Sequence, residues 1–214
     1  ASANWLALGT LVEQHADNCI LLDVGSTTTD VIRIVNNKVR CIGKDDASRL
    51  ASEELVYTGV VRSPVMAVCR AVPYRGRWQN LAAEYFATMS DVYRLLGEID
   101  DRHDLMHTAD GRDKDRVSSA RRLARMLGED HLSSDLREIT QVAEYIASAQ
   151  HDLVRNAVHL AMSRIPVFAK EQQMIGAGVG QFLVEKLARS FDISYRAFDS
   201  FIESDPDLKE GIGI

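Results

Sequence analysis

The spacing of apolar and polar positions divides the chain into three stretches of different character. The first is strand-like: Cys19 to Val24 is a continuous apolar run, and Val31 to Val35 is a second. Asn36-Asn37 is a turn signal, and Val39 to Ile42 predicts a third strand beyond it. Ahead of these, Ala1 to Glu13 carries Trp5, Leu6, Leu8, Leu11 and Val12 at intervals that predict a helix. Lys44 to Glu54 is a polar connection. Leu55 to Val61, which contains Tyr57-Thr58-Gly59 and is stopped by Pro64, and Ala67 to Val72, closed by Pro73 and Gly76, read as short extended pieces.

In the middle the period changes. Trp78, Leu81, Ala82, Tyr85, Phe86, Met89, Val92, Tyr93 and Leu96 recur three and four residues apart, the mark of a helix with one apolar, core-facing stripe. Gly97 to Asp115 is a charged loop, and Val117 to Leu127 and Ser134 to Ile165 predict further helices, the second ended by Pro166. The last stretch is a strand at Glu171 to Ile175, the turn Gly176-Ala177-Gly178, a helix at Phe182 to Ser190 and a strand at Ile193 to Phe198. Strand, glycine turn, helix and strand form an α/β unit. The expected architecture is therefore a β-rich α/β domain of residues 1–77 and 167–214, interrupted by a helical insertion of residues 78–166.

Composition changes this picture little. The chain has 214 residues, 46% hydrophobic and 26% charged, enough for a real core. Its net charge of −6 gives no broad attraction to nucleic acid or to an anionic membrane, although Arg121, Arg122 and Arg125 suggest a local basic patch. No apolar run reaches membrane-spanning length and no signal-peptide pattern opens the chain. Cys19, Cys41 and Cys69 are odd in number and lack CxxC spacing, which suits reduced thiols. The expectation is a soluble cytoplasmic protein with neither nucleic acid nor membrane as partner.

Chemistry concentrates in Asp23-Val24-Gly25-Ser26-Thr27-Thr28-Thr29-Asp30. An apolar strand delivers Asp23 to its end, where a carboxylate can hold a metal-bound water or a substrate hydroxyl. Gly25 lets the backbone turn close to an anion. Ser26, Thr27, Thr28 and Thr29 then offer hydroxyl and main-chain donors suited to phosphate oxygens, and Asp30 opens the next strand. A plain hairpin is the alternative, since threonine favours strands. Tyr57-Thr58-Gly59-Val60-Val61-Arg62 offers a hydroxyl on Thr58 and a bidentate anion clamp in Arg62, or else a turn beside a surface arginine. Thr108-Ala109-Asp110-Gly111-Arg112-Asp113-Lys114 is a turn whose Asp110, Asp113 and Lys114 suit Mg²⁺ or a polar substrate end, or simply solvent. His103 and His107 have zinc-compatible spacing but lack further ligands. Gly176-Ala177-Gly178 follows a strand and precedes a helix, a place for an anion or nucleotide, while Gln181 breaks the GxGxxG dinucleotide pattern.

The first of these segments resembles the second phosphate hairpin of the hydantoinase/oxoprolinase branch of the actin-like ATPase superfamily. With Ala3-Asn4-Trp5, Val56 to Val65 and Thr108 to Lys114, the chain is similar to tetrahydromethanopterin-linked C1-transfer pathway proteins. That family includes a methanofuran-biosynthesis synthase, which joins an aminomethylfuran-methyl diphosphate to γ-glutamyltyramine. The resemblance implies a ribonuclease H-like fold of the actin, sugar-kinase and Hsp70 type, and Mg²⁺ as cofactor with Asp23 as its ligand. It implies catalytic roles for Asp23, Asp30 and Arg62, and phosphate binding by Gly25, Ser26, Thr27, Thr28, Thr29, Gly176, Ala177 and Gly178. Substrate binding would fall to Tyr57, Thr58, Gly59, Thr108, Asp110, Gly111 and Lys114. The expected partner is a phosphorylated small molecule. The superfamily's first, glycine-rich phosphate hairpin is not found in these residues, so a missing first domain, a second copy and an exposed apolar face are further expectations. ATP-dependent kinase, ATPase or hydantoinase chemistry and a non-catalytic assembly role stand as alternatives.

Overall fold

The computed structural model describes residues 4–100, 102, 104–129, 135–165 and 173–204, with side chains up to Phe201. Ala1 to Ala3, Asp101, His103, Pro166, Glu171 and the stretch beyond Ser204, all of which entered the sequence reading, lie outside them. The chain forms two compact units, Ala1–Tyr57 with Val154–Ile214, and Thr58–Leu153. The sequence reading had drawn its seams after residues 77 and 166.

The first unit is built on a mixed sheet. Strands β1 (Asn18–Val24), β2 (Thr29–Val35), β3 (Leu55–Val56), β6 (Gln173–Ala177) and β7 (Ser194–Ala197) take the order β3-β2-β1-β6-β7. β2 runs antiparallel to β1 and β3, while β1, β6 and β7 are parallel. Within this sheet that is the order 3-2-1-4-5 with only the second strand reversed, which is the expected ribonuclease H-like arrangement. Side-chain alternation gives the sheet two apolar faces. Cys19, Leu21, Ile32, Ile34, Ile175 and Ala177 pack with Val12 of helix α1 (Asn4–Glu13) and with Phe201 of α8 (Asp199–Ser204). Helix α7 (Gln181–Ser190) buries Leu183, Val184, Leu187 and Ala188, and Val184 lies against Gly176 on the other face.

Asn36 and Asn37 form the expected turn, both at positive φ, with Val35 N–H donating to Lys38 O at 3.0 Å. The strand expected at Val39 to Ile42 is reduced to one bridge, Ile34 to Val39. Its backbone is drawn away by the buried Glu54 carboxylate, which accepts from Ile42 N–H at 2.9 Å and Gly43 N–H at 2.8 Å.

The second unit holds a hairpin, β4 (Ala71–Tyr74) and β5 (Arg77–Asn80), with α3 (Val65–Val68), α4 (Met89–Leu96), α5 (Arg116–Met126) and the first half of α6 (Leu136–Ser163). The helix expected from Trp78 exists only from Met89. Trp78 is paired in β5 and 67% exposed, while the Leu81 and Ala82 amides donate to Arg70 O and Met126 O. Thr88 caps α4 in a reciprocal box with Asp91, and that cap sets where helix can begin. The piece expected to extend from Ala67 is instead helix α3, with β4 following it. Among the described residues no helix is long and apolar enough to cross a membrane.

Candidate functional site

In the first unit the antiparallel ladder sets Asp23 opposite Asp30 and Val24 opposite Thr29. Two carboxylates therefore flank the bend, which Gly25 N–H closes by donating to Thr28 O at 2.9 Å. Like charges placed opposite each other repel, and the fold treats the two differently. Asp30 meets the Arg49 guanidinium at 2.7 Å. Arg49 is itself buried, donates to Glu54 O at 2.9 Å and lies 4.0 Å over the Trp5 ring. Burial still raises the Asp30 pKa, with the hydrogen bond and charge of Arg49 opposing it. Asp23 makes no hydrogen bond or ion pair among the described residues, and burial followed by the Asp30 charge raises its pKa. Such a group gains from a proton or an adjacent cation.

The parallel ladder adds a third segment, pairing Leu22 with Gly176 and Asp23 with Ala177. Gly178 follows at φ +78°, where a Cβ would stand 2.5 Å from Val24 O and 2.6 Å from Asp23 Oδ1. Only glycine allows that approach. Gly180 N–H fastens the segment by donating to Val24 O at 2.9 Å. A Cβ at Gly25 would meet its nearest neighbour, Thr28 O, at an ordinary 3.4 Å, so the tight packing against the protein's own oxygens is at Gly178. Ser26, Thr27 and Thr28 are partly exposed, with the Ser26 and Thr27 hydroxyls 3.4 Å apart. Thr29 is fully buried and Ala177 packs into the core, so these two side chains shape the bend. Open hydroxyls, a lone carboxylate and a glycine approach meet at the carboxyl ends of the parallel strands β1 and β6. This is the place where α/β sheets present ligands.

Tyr57 is 66% exposed at the end of this unit's first segment. The other sequence candidates lie in the second unit. Thr58 is buried and accepts from Gln150 Nε2 at 2.6 Å, the same amide donating to Gly59 O, while Tyr93 donates to Gln150 Oε1 at 2.5 Å. Gly59 N–H donates to Ser63 Oγ at 2.7 Å. Both residues serve internal bonding. Asp110 accepts from Arg122 at 2.9 Å, Thr108 Oγ1 donates to Arg112 O, Gly111 N–H donates to Thr108 O, and Lys114 donates to Asp104 O. Arg122, counted in the sequence reading as part of a surface patch, is fully buried and also pairs with Asp91 at 2.7 Å. Arg94 pairs with Asp104 at 2.8 Å. Burial opposes ionisation of Asp104 and Asp110, but their arginine and backbone partners outweigh it and both pKa values are lowered.

Arg62 is exposed and lines a cavity of about 60 Å³ with Val61, Tyr85, Thr88, Ser90 and Thr108 among others. The sequence reading did not single out Arg49, Asp91, Asp104 or Gln150. A Thr88-to-Asp91 capping box was legible for Asp91. Gln150 and Arg49 carry no local signal, since their partners are distant in sequence.

Fold and site define an α/β domain of ribonuclease H-like topology, with a hydroxyl-rich bend at the ends of its parallel strands. The chain belongs to the hydantoinase/oxoprolinase family, whose model it matches over residues 2–202. It is 31% identical over 194 residues to the (4-{4-[2-(gamma-L-glutamylamino)ethyl]phenoxymethyl}furan-2-yl)methanamine synthase of Methanocaldococcus jannaschii, a match covering 90% of this chain and 57% of that protein. The synthase of the same name from Methanococcus vannielii is 36% identical over 130 residues, 60% of this chain and 56% of that protein. The chain thus spans little more than half the length of these relatives. A ROK family protein from Streptococcus pneumoniae TIGR4, solved in complex with sucrose, overlaps 94% of this chain and 64% of its own at 11% identity. Its TM-score of 0.33 is too low to add to the sheet order.

Proposed function

We propose that the protein acts in methanofuran biosynthesis as an ether-forming transferase. It joins a furan-methyl diphosphate to the phenol oxygen of a γ-glutamyltyramine-type acceptor. The observation that carries this reading is the 31% identity, over 90% of the chain, to a synthase whose name describes a product with a phenoxymethyl-furan linkage. In the reaction the phenol oxygen bonds to the furan methylene carbon. The bond from that carbon to the diphosphate oxygen breaks, its electron pair leaves with diphosphate, and the phenol proton is released.

The chain's own groups suit the departing anion. Hydroxyls of Ser26, Thr27 and Thr28 donate to diphosphate oxygens, and Gly178 is exposed beside them. Mg²⁺ is the cofactor that fits this donor set, because it takes one or two carboxylates together with phosphate oxygens and water. Asp23, half-buried beside Asp30, is the carboxylate that would hold it, while Asp30 stays on Arg49. When bound, the ion supplies neutralisation of the leaving group's charge. Among the described residues no three His, Cys, Asp or Glu side chains gather as metal ligands, so His107 is given no part in this reading.

The test is incubation of the full-length protein with both substrates, reading the ether by mass spectrometry and diphosphate release in parallel. Asp23→Asn is expected to lower kcat/KM by about 10²-fold or more. Absence of any ether product from the unaltered protein would remove the assignment.

A further inference from the structure

The cavity in the second unit is unlike the hydroxyl-rich bend. Its wall joins Arg62, Thr88, Ser90 and Thr108 to two buried carboxylates, Asp91 and Asp104. The backbone donors at the start of α4 are already spent. Met89 N–H donates to Ser63 O, Ser90 N–H to Val61 O, and Thr88 N–H to Asp91 Oδ2. The site therefore rests on side chains. Arg62 is the cation that no hydrogen bond or ion pair among the described residues engages. Asp91 Oδ1 is crowded by Arg122 and Ser119, whereas Asp91 Oδ2 receives the Thr88 amide at 3.1 Å. A carboxylate oxygen accepts two bonds, so Oδ2 keeps acceptor capacity. Asp104 Oδ1 likewise takes the Met106 amide at 3.1 Å, with Lys114 at 3.7 Å.

An available guanidinium lining one cavity with spare carboxylate acceptors matches a group that carries both charges. We propose that this cavity binds the α-amino-acid head of the acceptor. Arg62 takes the head's carboxylate, and Asp91 with the Thr88 and Ser90 hydroxyls takes its ammonium. The inference rests on the transferase reading, whose acceptor ends in a γ-linked glutamyl group with a free α-amino and α-carboxyl. It gives the second unit a recognition task of its own. A plain anion would gain little from Asp91 and Asp104, and a plain amine would be repelled by Arg62. The cavity volume of about 60 Å³ suits a head group rather than a whole acceptor.

Calorimetry and steady-state kinetics on the full-length protein test this with γ-glutamyltyramine, tyramine and free phosphate as probes. The unaltered protein is expected to bind γ-glutamyltyramine at least about tenfold more tightly than tyramine, the worth of one charge-assisted contact. Arg62→Gln should erase that preference and raise KM for the acceptor about tenfold while leaving kcat nearly unchanged. Arg62→Lys should recover part of it, since it keeps the charge and loses the fork. Equal affinity for the two amines, or an Arg62→Gln variant that keeps the preference, overturns the proposal. Phosphate competing with γ-glutamyltyramine in the unaltered protein but not in Arg62→Gln also overturns it, because the cavity is then a plain anion site. Absence of the preference in the unaltered protein, alongside continued ether formation, sinks this inference alone. Loss of ether formation with every acceptor sinks the transferase reading.

Discussion

At the scale of single residues, the informative contrast is between Asp23 and Asp30, neighbours across one ladder with opposite surroundings. The bend was legible in sequence because an apolar strand, a glycine and four hydroxyl residues are contiguous. Which carboxylate stays open was not legible, since the answer depends on Arg49 folding back onto Asp30. The raised pKa of Asp23 has a consequence for stability. Its folded form holds a proton more firmly than the unfolded chain does, so its contribution is complete below the unfolded value near 3.8 and is lost as pH climbs through the raised folded value. Asp23→Asn removes the buried charge and its repulsion from Asp30. At pH 7 it is expected to raise Tm by roughly 2–4 °C, a gain that vanishes toward pH 4, and to do so while removing activity. Melting curves across that range check both halves. The reverse case is Gly178→Ala, where left-handed backbone and a 2.5 Å approach to Val24 O leave no room. It is expected to cost at least about 2 kcal/mol, read by urea unfolding.

At the scale of elements, hydrophobic period located the strands β1, β2 and β6 and the helices α5 to α7 well, because each buries one continuous face. It failed between Trp78 and Phe86. There apolar residues recur at helical intervals by coincidence, while their amides are claimed by β4, Arg70 and Met126. Period describes side chains, and backbone bonding decides the element. The same limit hid the ionic layer between α4 and α5. Arg122 reads as one of several surface arginines, yet Ser118, Ser119 and Ala120 on the same helix are small and let it sink against Asp91. Removing it as Arg122→Met leaves Asp91 and Asp110 without their buried partner. The expected loss is about 3–5 kcal/mol in urea unfolding. Acid adds a second readout. Asp104 and Asp110 have lowered pKa values, so they stabilise the fold above the unfolded value near 3.8 and surrender that as pH falls through their folded values. The unaltered protein should lose Tm steeply below about pH 4, and Arg122→Met less steeply, because its Asp110 has already lost the guanidinium.

At the scale of the molecule, the net charge of −6 sets the proposed ligand a problem, for a diphosphate is repelled by the protein as a whole. Binding must come from short-range donors and from a cation that changes the local sign. In the proposed reading the hydroxyls of Ser26, Thr27 and Thr28 would supply the first, and Asp23 would hold the second. Neither half suffices alone: hydroxyls facing a carboxylate reject an anion, and one carboxylate is a poor cage for a metal. Pyrophosphate and Mg²⁺ should therefore bind together or scarcely at all. A ligand held at a hundred times its Kd stabilises the folded state by about 2.7 kcal/mol. For a chain of this size that raises Tm by roughly 5–10 °C. The expected pattern in a thermal-shift series is a large rise with both ligands and little with either one. Asp23→Asn should flatten the joint response, starting from its own higher baseline. Because Asp30 is committed to Arg49, Asp30→Asn should keep most of the joint rise. A shift that survives Asp23→Asn at full size would place the anion elsewhere and take the bend out of the chemistry.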